Sequence, residues 1–268
     1  MISFGPIEKL GTIWWFEFFD LLENKQDQVH ARLILIMTEF ENTYSRFDSS
    51  STLSQLNTKK YLDNPDSEIL GLLSIATKAY NETGGVFNIA VGDYLEKSGY
   101  DQDYSFYSSK QEGVRDLYDV LQISHQKVEL FENVKIDFGG FGKGYLIDKL
   151  AGVLRTEFGL EYFLINGGGD MYVTSDHGKP IEIGLQDPKT KEIIGRYELY
   201  NQAFASSSPV LRQWTDQEGV VHDHLVSDNN KEKKTSFVVA PTAVQADIWA
   251  TTLSINNDIQ QPKSVTVL

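Results

Sequence analysis

The chain contains no cysteine. Disulfides, thiolate metal sites and a cysteine nucleophile are excluded, so any metal must be held by oxygen or imidazole. Basic residues are few: 24 Lys and Arg stand against 38 Asp and Glu, a formal net charge of −14. That balance argues against a nucleic-acid partner, because binding a phosphate backbone needs basic surface. Long apolar runs are missing as well. No stretch approaches the roughly 20 apolar residues that span a bilayer, so no transmembrane segment is expected. Residues 1–20 lack the basic start, the uncharged apolar run and the small-residue cleavage site of an export signal. The sequence as it stands is therefore expected in the cytoplasm, while an exported chain already trimmed of its leader would read the same. Repeats and low-complexity tracts are absent too.

What is present suits a folded enzyme-sized unit. Apolar residues make up 41% and aromatics 12% of 268 residues, enough to fill the core of one domain spanning residues 1–268 or of two closely packed lobes. Thr12–Phe19, TIWWFEFF, is β-branched and aromatic and predicts a strand. Val29, Leu33, Ile36, Met37, Phe40 and Tyr44 recur at spacings of three and four, one face of a helix. A second helix is predicted after Pro65-Asp66, with Ile69, Leu72, Leu73, Ala76 and Tyr80 inward and Gly84 ending it. Two alternating runs between Leu117 and Asp137 predict a hairpin. A third helix follows Gly144 and stops at Gly159, and the strand EYFLIN then runs into Gly167-Gly168-Gly169. Short strands fill Ile181–Val239, and a last helix covers about Thr242–Ile255. The mixture predicts an α+β fold with a large, mainly antiparallel sheet and packed helices. Two polar stretches, residues 99–115 and 227–234, read as loops or inserts.

An acidic protein that binds a nucleotide must compensate locally, with backbone N–H groups, a lysine or a divalent cation. Asp137-Phe-Gly-Gly-Phe-Gly-Lys143-Gly-Tyr-Leu-Ile-Asp148 offers the first two: glycines between strand and helix allow close approach, a helix N-terminus presents free N–H groups, and Lys143 adds a point charge. It is neither a P-loop nor a dinucleotide fingerprint, and it also suits a plain strand-to-helix turn. Asp247 and Thr251 lie four apart, on one face of the last helix, where both could bind a hard cation through oxygen. Equally, Asp247 could serve the helix dipole and Thr251 could bond back to its own helix. Asn166-Gly-Gly-Gly-Asp170 reads as a tight turn past which a ligand could lie. His222 and His224 would share one strand face, but spacing offers no further metal ligand. A single imidazole acting as proton acceptor or hydrogen-bond donor is the better functional reading, and of the two it falls to His224, while His222 reads equally well as a plain surface residue.

Taken in order, seven segments together resemble the ApbE family of FAD:protein FMN transferases. Leu10-Gly11-Thr12 is similar to its Met-Gly-Thr entry, and Ser45-Arg46-Phe47 with Ser51, Leu53, Ser54 and Asn57 is similar to its serine-rich segment. Thr83 to Gly92 resembles T-x-G-x-F-D-x-T-V-G, and Asp137 to Tyr145 resembles D-L-G-G-I-A-K-G-Y, the most specific match. Asn166–Asp170, His224-Leu225-Val226 and Ala246–Thr251 complete the series. The chain departs from the pattern at Asn88, where an Asp is usual, at Ser206-Ser207-Ser208 in place of T-S-G, and at Ser227-Asp228 in place of Asp-Pro.

The resemblance implies an ApbE-like fold, related to the tunnelling fold, in two closely joined lobes. It places FAD against Leu10, Phe47, Val86, Phe87, Asn88, Asp137, Lys143, His224 and Val226. It places Mg²⁺ on the carbonyl of Gly140 and the side chains of Asp247 and Thr251. The implied reaction cleaves FAD, attaches FMN through a phosphoester to a Thr or Ser of an acceptor flavoprotein, and releases AMP. His224, Asp247 and Lys143 are its catalytic candidates. With water as nucleophile the same site would be a Mg²⁺-dependent FAD pyrophosphatase, and without chemistry a flavin-binding protein.

Overall fold

The computed structural model describes the chain except residues 103, 104, 110–112, 132, 177, 178 and 228–230. The two stretches expected as inserts lie partly outside the described residues, and so does the departure at Asp228. In chain order the elements are β1 (Ile2–Lys9), β2 (Thr12–Phe18), α1 (Gln26–Tyr44), α2 (Thr52–Lys59), β3 (Tyr61–Asp63), α3 (Ser67–Glu82), α4 (Gly92–Lys97), α5 (Leu117–Val120), β4 (Leu121–Ile123) and β5 (Lys127–Leu130). There follow α6 (Gly142–Phe158), β6 (Tyr162–Gly167), β7 (Asp170–Ser175), β8 (Ile181–Gln186), β9 (Ile193–Leu199), β10 (Gln202–Ser207), β11 (Gln213–Thr215), β12 (Val221–Asp223), β13 (Ser236–Ala240), α7 (Ala243–Ile255) and β14 (Thr266–Val267).

The main sheet has seven strands in the order β1-β2-β6-β7-β10-β13-β14, every pair antiparallel. Alternation along the strands decides what covers each face. Phe163 and Ile165 of β6, with Trp14, Phe16 and Phe18 of β2, join one core with the buried faces of α1, α3, α6 and α7. Leu164, between the two β6 residues, points the other way. It meets Val173, Phe204 and Val239 under Ile183 and Leu199 of the β8–β9 hairpin. The expected α+β architecture with a large antiparallel sheet is the observed one.

The helices follow their apolar spacing. All six apolar positions predicted on α1 are buried. Asp66 caps α3, its carboxylate accepting from the backbone N–H groups of Glu68 and Ile69 at 2.8 and 2.9 Å, which satisfies donors the first turn leaves free. Ala79 rather than Tyr80 completes the buried face of α3; the Tyr80 ring lies half-buried against Tyr118. Helix α6 begins at Gly142, one turn's fraction earlier than expected, because Gly142 N–H already bonds the Phe138 carbonyl at 2.7 Å. Helix α7 is apolar all round, the mark of a core helix, and packs between the sheet and α6. Asp148 of α6 ties the two helices together by accepting from Ala243 N–H and Val244 N–H at 2.7 and 2.9 Å. Among the described residues no helix is long and apolar enough to cross a membrane.

Candidate functional site

The turn ahead of α6 is fixed from several sides. Asp137 N–H donates to the Ile89 carbonyl at 2.9 Å. One Asp137 carboxylate oxygen accepts from Gly139 N–H, and the other pairs with Arg46 Nε at 2.5 Å. The Arg46 guanidinium in turn lies over the Phe47 ring at 4.1 Å and the Tyr100 ring at 4.9 Å, a cation–π arrangement. Asp137 therefore shapes the glycine turn and anchors an arginine as well as lining the space beside it.

Gly140 presents its carbonyl toward α7, where Thr251 Oγ1 donates to it at 3.4 Å. An added Cβ at Gly140 would stand 3.3 Å from the Phe87 ring, a contact tight enough that the ring would have to shift. One helical turn before Thr251, Asp247 Oδ2 accepts from Gly144 N–H at 3.1 Å and lies 3.4 Å from Lys143 Nζ. Lys143 Nζ makes its closer ion pair, 2.6 Å, with Asp170 Oδ2, while Asp170 Oδ1 accepts from Ser206 N–H at 3.3 Å. Thr251 thus turns outward to Gly140; it is Thr252 that bonds back to its own helix, at Ile248 O.

Both carboxylates are nearly shut off from solvent, Asp247 at 5% and Asp170 at 2% exposure. Burial, reinforced by the charge of Asp170, raises Asp247 above the usual carboxylate range although Lys143 opposes the shift. Burial alone would lower Lys143, but Asp170 and Asp247 together hold it above the ordinary lysine range. Ionising both carboxylates against one ammonium would leave one buried negative charge uncompensated, a cost that a further cation would relieve. The donors beside it are all hard oxygens: a main-chain carbonyl, a carboxylate and a hydroxyl. That set fits Mg²⁺. Among the described residues no group of three or more His, Cys, Asp or Glu could hold a metal, so a cation here would depend on the mixed donor set.

Two adjoining cavities open above these residues. The first is lined by Val86, Phe87, Asn88, Gly140, His224, Val226, Asp247 and Thr251, and the second by Leu10 and Phe47; Asp137 and Lys143 border both. The structure thus brings the residues that the resemblance assigns to flavin and metal to these two adjoining cavities, while His222 lines neither. Asn88 lines the first cavity with both polar ends engaged: Nδ2 donates to Arg115 O at 2.9 Å and Oδ1 accepts from Ala90 N–H at 2.8 Å. An aspartate could not donate to Arg115, which gives the departure at this position a structural reason. Leu10, at φ +52°, donates its N–H to Glu41 Oε1 at 2.6 Å, so Glu41 holds the β1–β2 turn at the mouth of the second cavity.

The two histidines part company. β12 ends at Asp223, and His222 Nε2 lies 2.8 Å from Asp216 Oδ2 with its ring stacked on Trp214. It is a part-buried structural residue, not a surface one, because the hairpin folds it onto Trp214. His224 lines the first cavity, with Nδ1 3.4 Å from Arg212 O. Burial, aided by the charge of Arg212, pushes its imidazole down to about 4. Glu41, Arg46, Asp170 and Arg212 were not singled out from sequence. Asp170 closes a quoted motif and Arg46 sits inside another, but only the folded chain puts Asp170 against Lys143 and Arg46 against Asp137.

The sequence profile of the ApbE family matches residues 10–265. The FAD:protein FMN transferases of Klebsiella pneumoniae and Escherichia coli K12 are each 23% identical to this chain over 92% of it and 76% of their own length. Among solved structures, the ApbE protein of Thermotoga maritima superposes with a TM-score of 0.81 at 21% identity, covering 93% of this chain and 85% of that one. The flavin transferase ApbE of Vibrio cholerae gives 0.74 at 18% identity, covering 95% and 85%. With its fold, its ordered motifs and a profile match over nearly its whole length, the chain belongs to the ApbE family.

Proposed function

We propose that this protein is a Mg²⁺-dependent FAD:protein FMN transferase. The observation that carries the reading is the wall of the first cavity, where Thr251 Oγ1 stands 3.4 Å from Gly140 O with Asp247 one turn away. The names of the related proteins supply the substrate, FAD, and the class of reaction. A metal held by Gly140, Asp247 and Thr251 would supply charge neutralisation at the diphosphate and polarisation of its oxygens. Lys143, kept protonated by Asp170, adds positive charge beside the same phosphates. The hydroxyl oxygen of an acceptor Thr or Ser attacks the FMN-side phosphorus, the bond from that phosphorus to the bridging oxygen breaks, and AMP departs with the bridging oxygen. His224, which lines the first cavity and which burial keeps neutral across the physiological range, would accept the hydroxyl proton. The apolar walls formed by Val86, Phe87 and Val226 suit a flavin ring system and limit access of water.

Incubation with FAD and Mg²⁺, with and without a flavin-acceptor protein, tests the reading. The expected result is AMP together with a fluorescent acceptor band that survives denaturation. Free FMN and AMP with no labelled acceptor would point to hydrolysis instead of transfer.

A further inference from the structure

Arg212 stands where the two cavities meet, bordering both along with Tyr100, Asp137, Gly139 and Lys143. A dinucleotide with one nucleoside half in each cavity would bring its diphosphate to this junction. Lys143 and Arg212 stand there and Arg46 lines the second cavity beside it; of the three, two are already committed. Arg46 is paired to Asp137 at 2.5 Å, and Lys143 is flanked by Asp170 at 2.6 Å and Asp247 at 3.4 Å. With two carboxylates beside it, much of the Lys143 charge is spent within the protein, so Lys143 alone offers little net positive charge to a diphosphate. Among the described residues no ion pair involves Arg212, and its side chain is exposed toward the cavities.

The main chain that carries Arg212 is held firmly. Its carbonyl faces His224 Nδ1 at 3.4 Å. Two residues on, Trp214 donates Nε1–H to Ser98 O at 2.6 Å and stacks on Tyr100 with centroids 5.0 Å apart. Trp214 also stacks on His222, which Asp216 fixes. The hairpin is an anchored mount, with a guanidinium at its base that has no ion-pair partner among the described residues. A planar, always-charged fork on an anchored mount is the group best suited to grip phosphate oxygens.

We propose that Arg212 is the diphosphate-binding residue of this site, a specificity determinant that selects phosphorylated flavins. The inference rests on the FAD reading above. Its test is equilibrium binding of riboflavin, FMN and FAD, each with Mg²⁺, to the wild-type protein and to Arg212→Gln and Arg212→Lys, followed by flavin fluorescence. Loss of a charge-assisted phosphate contact predicts that Arg212→Gln weakens FAD and FMN about ten- to a hundredfold. Riboflavin, which lacks phosphate, is expected to change less than about twofold, and its retention also reports an intact fold. Arg212→Lys is expected to recover part of the loss. Equal weakening of all three flavins, or no weakening of FAD, would overturn the assignment while leaving the FAD reading intact. A wild-type protein that binds none of the three would overturn both.

Discussion

At Asp247 the surroundings work against the charge the side chain is asked to carry. Burial and the neighbouring Asp170 disfavour ionisation, and Lys143 at 3.4 Å compensates only in part because Asp170 holds it closer. A hard cation, as proposed, would resolve that conflict, so Asp247→Ala is expected to abolish Mg²⁺-dependent turnover while a flavin still binds weakly. Full activity of that variant would remove the metal assignment. His224 presents the opposite case. Burial disfavours its charged form, so it is neutral above about pH 4 and takes up a proton only as pH falls through that value. Nitrogen-15 NMR of the ligand-free protein is expected to find the His224 ring neutral at pH 5.5. A midpoint near the ordinary histidine value would contradict the burial argument. Replacing His224 by Ala is then expected to slow transfer by at least about 10²-fold, within the range of a positioned base, with FAD still bound.

Among the elements, α6 and α7 do most to build the site, and their contact is close. A Cβ at Gly144 would meet Ala243 carbonyl carbon at 2.7 Å and Val244 Cα at 2.8 Å, both main-chain atoms that cannot swing aside. Gly144→Ala is therefore expected to lower stability by about 1–3 kcal/mol in chemical unfolding and to displace Asp247 from its Gly144 N–H. Gly152, on the same helix, has nothing within 4 Å of an added Cβ, so Gly152→Ala is expected to raise stability by about 0.5–1 kcal/mol. If both variants moved in the same direction, the packing argument would fail. Much of this level was legible in the sequence. The spacing of Val29, Leu33, Ile36, Met37, Phe40 and Tyr44 gave the buried face of α1, and the four-residue interval from Asp247 to Thr251 put both side chains on one face of α7. Strand β1 and the short helices α2 and α4 were not anticipated. β1 carries exposed and half-buried residues without clean alternation, and Pro6 interrupts it. The other two helices are only 8 and 6 residues long, too short for periodicity to stand out.

Across the whole molecule, what matters is contacts between residues far apart in sequence. Lys143 and Asp247 are 104 positions apart, and Thr251 and Gly140 are 111 apart. No local pattern announces such pairs. The ordered motifs did so only through resemblance, and they gave no sign that Asp170 would clasp Lys143 or that Arg212 would stand at the junction of two cavities. The sheet order β1-β2-β6-β7-β10-β13-β14 is likewise a product of global packing, with the β8–β9 hairpin laid over one face. That hairpin does not extend over the outward side of β2, where Ile13 and Trp15 stay 47% and 44% exposed. A net charge of −14 sets the last condition. An anionic substrate gains nothing from the average field of this protein and must be held by concentrated local charge.

Manganese in place of magnesium tests that requirement most directly. Electron–nuclear double resonance on the protein with Mn²⁺ and FAD is predicted to detect strong coupling to the phosphorus-31 nuclei of the bound diphosphate, and to lose it in Asp247→Ala. A tightly bound Mn²⁺ that couples only to water protons in the wild-type protein, with FAD bound, would contradict a cation lodged between these oxygens and the flavin phosphates.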